Sequence, residues 1–239
     1  MTSRNITETL EEVQRTLSTM AAQGVAGFDP SPGAMEKLSR WGITEDPKND
    51  TTLVSLEEVR NMLGDCRRCH LCETRTHLVF GTGDPRARLV FVGEAPGYDE
   101  DIQGEPFVGA AGKLLTRIIQ AMGLDRSQVY ICNILKCRPP GNRNPLSDEI
   151  DQCIPFLKRQ LAAVSPDCIC ALGKFAAQTL LETQTPISRL RGRFFEYSGI
   201  QLMPTYHPAY LLRNPEKKRD VWEDVQKIMS VLGLEGPKK

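Results

Sequence analysis

From Arg86 onward, apolar runs of five or six residues alternate with longer segments of helical period, and this alternation restricts the fold more than any other feature. The runs at 88–92 (RLVFV), 129–134 (VYICNI) and 167–172 (DCICAL) are too short for helices and are bounded by turn residues, so they predict buried strands. Between them, Leu114, Leu115, Ile118, Ile119 and Met122 share one face of a helix over 110–122. A second helix starts at Ser147 with Ile150, Ile154, Leu157 and Leu161 in phase, and others cover 174–182 and 216–232. Two short strands flank Ser198-Gly199, the second ending in LMPT at 202–205. Strands separated by helices must run parallel and be covered on both faces. The expectation is an α/β fold, a three-layer αβα sandwich around a central, mainly parallel four-stranded sheet.

Upstream the pattern is different. Ile6, Leu10, Val13, Leu17 and Met20 form one apolar stripe on an otherwise polar helix over 6–20. A Gly-, Pro- and Asp-rich stretch follows and reads as a linker. Ser55 and Glu58 make a capping box for a short helix that Gly64 ends. These features divide the chain into an extension, 1–51, able to dock on a protein partner or on the domain itself, and a folded domain, 52–239. Residues 1–60 carry 6 Lys/Arg against 10 Asp/Glu, so the zero net charge of the chain hides a basic remainder. Seven of those basic residues fall in 186–219, among them Arg189, Arg213 and Lys218, which is what a phosphate-contacting face would supply.

No apolar run approaches the ~18 residues of a membrane helix, and the first residues carry neither a signal core nor a transit-peptide composition. A cytoplasmic monomer with no membrane contact is expected. There the eight cysteines would stay reduced, and the spacing of Cys66, Cys69 and Cys72 points to metal. Cys168 and Cys170 alternate within a strand and read as small hydrophobes.

Ligands of such a sheet bind beyond the carboxyl ends of its strands. The segments there are GEAPGYDED (93–101), the stretch from Asn133 through KCRPPGNRNP, and YHPAYLLRNP (206–215). GAAGK at 109–113 is not a phosphate loop, because Phe107 stands where the first glycine belongs and Leu114 where the magnesium-binding hydroxyl belongs. The segment thus argues against nucleoside triphosphate chemistry.

These segments resemble the iron–sulfur class of uracil-DNA glycosylases, the fourth family of that superfamily. The resemblance rests on C-x2-C at 66–69, GEAPGYDED, PFVGAAG (106–112), NILKCRPPGNRNP (133–145), Cys153 and HPAYLLRNP (207–215), in the family's order across about 63–233. It implies base excision repair on uracil-containing DNA, and a 4Fe–4S cluster on Cys66, Cys69, Cys137 and Cys153. Four thiolates suit zinc or an iron–sulfur cluster, and the wide 137–153 interval leans toward the cluster.

The resemblance also implies roles in the cleft. Asn133 would read uracil through its amide, Phe107 would stack on the base, and Gly93 and Ala95 would let backbone approach it. His207 would donate to uracil O2. Glu94, with Asn142, would handle water and the sugar cation, and Glu100 would exclude a thymine methyl, with the two carboxylates exchangeable in role. Leu211 and Leu212 would wedge into the DNA, one of them packing back into the domain, while Arg138, Arg143 and Arg213 would meet phosphates. Two other outcomes stay open: a relative that traps abasic DNA covalently, disfavoured because no His lies between Asn133 and Ser147, and a non-catalytic iron–sulfur DNA-binding module.

Overall fold

The computed structural model describes residues 55–236, so the helix expected over 6–20, the linker and the boundary at 51/52 lie outside the described residues. The strands are β1 (Thr82–Gly83), β2 (Leu89–Gly93), β3 (Tyr130–Asn133), β4 (Cys168–Leu172), β5 (Phe195–Tyr197) and β6 (Ile200–Thr205). They form one sheet in the order β1-β3-β2-β4-β6-β5. The four central strands are parallel. The short edge strands β1 and β5 are antiparallel to their neighbours.

The sheet therefore has six strands rather than four. The expected parallel centre is present, and the two additions are edges of two and three residues. Ser198 and Gly199, with φ of 50° and 82°, turn β5 back onto β6 in the left-handed conformation that tight hairpins favour. β1 is a threonine and a glycine preceded by Gly81, where no apolar alternation could announce a strand.

Every residue of β2, β3 and β4 is buried, as strands covered on both faces must be. The helices are α1 (Leu56–Leu63), α2 (Tyr98–Gln103), α3 (Ala110–Ala121), α4 (Ser147–Val164), α5 (Gly173–Leu180), α6 (Ile187–Leu190), α7 (Pro208–Arg213) and α8 (Lys218–Leu232). Alternation sorts the strand residues between two cores. Val90, Val92, Cys132, Ile169 and Ala171 pack with Leu157 and Leu161 of α4 and Ala176 and Ala177 of α5. Leu89, Phe91, Ile131, Cys168 and Cys170 pack with Leu115 and Ile119 of α3 and Val225 and Ile228 of α8. Each fully buried Leu, Ile or Phe in these layers contributes about 1.5–3 kcal/mol. Cys168 and Cys170 are fully buried within this packing.

α1 is capped as its sequence predicts: Glu58 N donates to Ser55 Oγ at 3.2 Å, and Ser55 N donates to the Glu58 carboxylate at 2.6 Å. No helix among the described residues is long and apolar enough to cross a membrane. From β2 the chain crosses to β3 on one side, and from β3 it returns past β2 to β4 on the other. The crevice beyond the carboxyl end of β2 is therefore the switch point where such sheets bind ligands.

Candidate active site

At that switch point lies a cleft of about 420 Å³. All three polar segments reach it: Glu94, Ala95 and Glu100 after β2, Asn133 and Asn142 at and beyond the end of β3, and His207 and Arg213 beyond β6. Phe107 and Arg143 complete the expected residues on its wall.

Asn133 ends β3 and is 2% exposed, and its Oδ1 has no hydrogen-bond partner among the described residues. A buried amide oxygen with no partner costs about 1–3 kcal/mol, so this group favours whatever donor enters the cleft. Gly93 ends the neighbouring strand in register with it. A Cβ on Gly93 would lie 2.3 Å from Asn133 Oδ1 and 2.6 Å from the Phe107 ring, so glycine leaves both groups their places. The ladder continues past the strands, with Ile134 N donating to Gly93 O and Leu135 N to Glu94 O, both at 3.0 Å. Glu94 and the amide of Asn133 are thereby held on one rigid frame.

Phe107 faces this frame in a left-handed backbone conformation, φ 55°, and its ring lies 5.5 Å from that of His207. His207 caps α7, its Nδ1 accepting from Ala209 N at 3.1 Å. That bond places the proton of the neutral ring on Nε2. Burial, aided by the Arg213 charge, pushes the imidazole pKa down to about 4, so the ring is neutral at physiological pH. Gly173, at φ 90°, lets the chain leaving β4 pass behind it, since a Cβ there would lie 2.9 Å from His207 Cβ.

The two carboxylates differ in environment. Burial pushes Glu94 up to about 7, with Lys174 opposing the rise. Glu100 instead accepts from Gly97 N at 3.1 Å and from Val108 N and Gly109 N at 3.0 Å. One carboxylate is thus poised near neutral pH, and the other is engaged by backbone amides.

The segment 207–215 is not an irregular loop: α7 occupies 208–213, with Pro208 at its first position. The helix separates the two leucines. Leu211 is 1% exposed and belongs to the core beside α3 and α8, whereas Leu212 is 44% exposed. Of the two, Leu211 is therefore the one that packs back into the domain, and Leu212 is the one left exposed. Arg213 is exposed at the cleft, and Arg138 lies over the Tyr98 ring while donating to Asn142 Oδ1 at 2.7 Å. Arg143 is less available, because both of its terminal nitrogens bond the buried Glu149 carboxylate, at 2.5 and 2.9 Å.

Outside the cleft, the cysteines gather on the side of the first core. Cys66, Cys137 and Cys153 are buried and Cys69 is partly buried. Cys69 lies within electrostatic reach of Cys66, Cys137 and Cys153. Arg68 donates to Cys66 Sγ at 3.3 Å and Arg75 to Cys137 Sγ at 3.2 Å. Among the described residues, no three His, Cys, Asp or Glu side chains stand close enough together to hold a single metal ion.

Three features escape a reading of the sequence. Lys136 is fully buried, its Nζ donating to Asn133 O at 2.6 Å and its backbone N–H facing the Cys153 thiol, so it bridges the cysteines and the cleft. A lysine inside the apolar run ILK was the available signal. His70, between Cys69 and Cys72, meets Glu149 at 2.8 Å. Behind β6, Asp224 accepts from Thr205 Oγ1 at 2.6 Å and pairs with Arg191 at 2.7 Å, fixing the strand end that leads to His207. The last two pairings join residues too distant in sequence to be read from it.

The family model for the uracil DNA glycosylase superfamily matches residues 80–226. The type-4 uracil-DNA glycosylase of Archaeoglobus fulgidus is 44% identical over 191 residues, covering 77% of this chain and 96% of the relative. That of Thermotoga maritima is 43% identical over 185 residues, 76% of this chain and 96% of the relative. A type-5 uracil-DNA glycosylase of Pyrobaculum aerophilum is more distant, at 30% over 146 residues and 54% of this chain. With matched segments that span the cleft and its flanking helices, this chain belongs to the uracil-DNA glycosylase superfamily and, within it, to the type-4 family.

Proposed function

We propose that this chain removes uracil from DNA by hydrolysing its N-glycosidic bond, with the cleft beyond β2 as the site of reaction. The observation that carries the reading is the buried, unpaired Oδ1 of Asn133 on the wall shared with Phe107 and His207. A flipped uracil satisfies it, since N3–H donates to Oδ1 while the amide nitrogen donates to O4. Cytosine offers the opposite donor and acceptor at those positions and leaves the amide unpaired. Phe107 stacks on the base, a contact worth ~1–3 kcal/mol.

As the C1′–N1 bond breaks, its electron pair goes to the departing uracil and the sugar becomes cationic. Neutral His207 donates Nε2–H to O2, where the charge gathers, a stabilisation of about 3–4 kcal/mol. Glu94, ionised above about pH 7, faces the developing cation and takes the proton of the water that attacks C1′. Asn142 holds that water with the part of its amide that Arg138 leaves free. Uracil leaves as an anion and is protonated by solvent. Leu212 fills the gap left in the stack, and Arg213 and Arg138 hold the phosphates. Glu100 shapes the side of the pocket near uracil C5.

Cys66, Cys69, Cys137 and Cys153 fit a 4Fe–4S cluster: four thiols on three chain segments, two of them accepting hydrogen bonds from guanidinium groups. Bound there, a cluster would crosslink the 66–69 loop to the chain after β3 and to α4. The hydrolysis itself is redox-neutral. In this reading the chain acts on uracil-containing DNA as a monomer, with 1–51 open to a protein partner. Eight cysteines with no disulfide among them suit the cytoplasm.

Uracil release from an oligonucleotide in large excess over protein tests the reading. Many turnovers per chain are expected. A burst that stops at one equivalent as a covalent adduct, or binding without release, would refute hydrolytic excision.

A further inference from the structure

Phe107 is held in a conformation that residues with a Cβ rarely adopt, φ 55°. Such strain persists only where the surroundings over-determine it. The 105–108 stretch makes no backbone-to-backbone hydrogen bond among the described residues, so secondary structure does not impose it. Two oppositely charged side chains do. Arg126, from beyond α3, donates to Pro106 O at 2.9 Å and to Phe107 O at 3.1 Å. Its Nη1 also reaches Thr116 Oγ1 at 3.3 Å, and Thr116 donates to Gly112 O at 3.1 Å, which ties the guanidinium to the first turns of α3. From the other side, Glu100 Oε1 accepts from Val108 N and Gly109 N. Two consecutive carbonyls are gripped by a cation and the next two amides by an anion, so the peptide planes on either side of Phe107 cannot rotate. α3 backs directly on this loop, for a Cβ at Gly112 would lie 1.8 Å from Phe107 O.

We propose that Arg126 is a positioning residue for uracil excision, clamping the loop against Glu100 so that the Phe107 ring is presented to the flipped base. The proposal rests on the reading of Phe107 as the stacking residue. Arg126 touches neither base nor sugar; it acts through the carbonyls of Pro106 and Phe107. Without it the loop relaxes toward ordinary φ values, and the ring leaves the wall it shares with His207 and Gly93. The DNA contacts proposed for Arg213 and Leu212 are unaffected, so the loss falls on kcat rather than on KM.

The test compares Arg126→Ala, Arg126→Lys, Phe107→Ala and the Arg126→Ala/Phe107→Ala double variant, with kcat and KM measured on a uracil-containing oligonucleotide. Arg126→Ala is expected to lower kcat by roughly ten- to a hundredfold, the size of effect that releasing one strained residue allows. Arg126→Lys should recover part of this, since an ammonium can hold one carbonyl but not both. In the double variant, kcat should fall no more than about twofold below that of Phe107→Ala alone, the non-additivity expected of residues acting through one contact. Losses that multiply in the double variant, or full activity in Arg126→Ala, would overturn the proposal while leaving the stacking role intact. Full activity of Phe107→Ala would overturn both. If Arg126→Ala does not accumulate, Arg126→Lys is crossed with Phe107→Ala under the same criterion.

Discussion

Glu94→Gln separates what the site needs from what the fold prefers. Burial raises the Glu94 pKa from 4.5 to about 7 in the folded protein, while the unfolded chain keeps the ordinary value. Below pH 4.5 both states hold the proton, and the carboxyl carries no electrostatic penalty. Between 4.5 and about 7 the unfolded chain releases its proton and the folded one does not, so stability falls as pH rises. Above 7 both are ionised and the loss is complete. A rise of about 2.5 units corresponds to about 3.4 kcal/mol at 1.36 kcal/mol per unit. Glu94 borders an open cleft and Lys174 lies within its field, so solvent and that cation reduce the figure to roughly 1–2 kcal/mol.

Glutamine keeps the shape and cannot ionise. Urea unfolding of the wild type and of Glu94→Gln, at pH 5 and at pH 8, should show the variant gaining about 1–2 kcal/mol on the wild type, most of it between those two pH values. Terms common to both proteins, the cysteine centre included, cancel in the difference. The same substitution should slow excision by about a hundredfold or more, as loss of a general base does. A stability difference that does not change with pH, or a wild type that is the more stable at pH 8, would show that Glu94 is not held against ionisation and would remove its assignment as the base.

Excision by the wild type should rise with pH through about 7 as Glu94 ionises, with no second inflection between pH 5 and 8 because His207 titrates near 4; a rate profile measured under single turnover checks both. Asn133→Asp should lower uracil release and raise the ratio of cytosine to uracil release, since a carboxylate accepts from the cytosine amine and repels uracil O4; an unchanged ratio would mean the amide does not read the base. Cys137→Ala and Cys153→Ala should lose visible absorbance and bound iron, while Cys72→Ala keeps both; a colourless wild type containing zinc would refute the cluster. Leu211→Ala should destabilise the domain by about 2–5 kcal/mol through its core cavity, and Leu212→Ala should leave stability within about 0.5 kcal/mol while weakening excision from duplex DNA.

The parallel core was legible because strands buried on both faces leave continuous apolar runs, and LVFVG, YICN and CICAL are such runs. β1 was not, since two residues beside glycines have no period to detect. The leucines of HPAYLLRNP show a different limit. No helical period marks this segment, yet Pro208 at the first helical position and the His207 cap start a short helix that sends Leu211 inward and Leu212 outward. Residue identity indicated which groups belong near the cleft but not how they are engaged. Arg143 looked like a phosphate ligand and is paired with Glu149; Glu100 looked like a steric gate and also fastens the Phe107 loop. These pairings depend on side-chain geometry between elements, which no spacing rule records.

The cleft concentrates features that a fold selected for stability alone would remove. Asn133 is buried with an unpaired oxygen, Phe107 is backbone-strained, Glu94 resists ionisation, and His207 is held neutral. Each is unfavourable locally, and on the proposed reading each would meet a different part of the substrate: the base edge, its face, the sugar behind it and O2. Their common position is tolerable because the frame beneath them is rigid, with β2 fully buried between two parallel neighbours and the 93–94 and 134–135 backbones hydrogen-bonded past the strand ends. Rigidity there has a chemical consequence. A donor or acceptor that need not reorganise when charge develops stabilises the transition state more than the substrate. The unfavourable groups of the resting cleft are thus, on this reading, the ones that a departing uracil and a sugar cation would compensate.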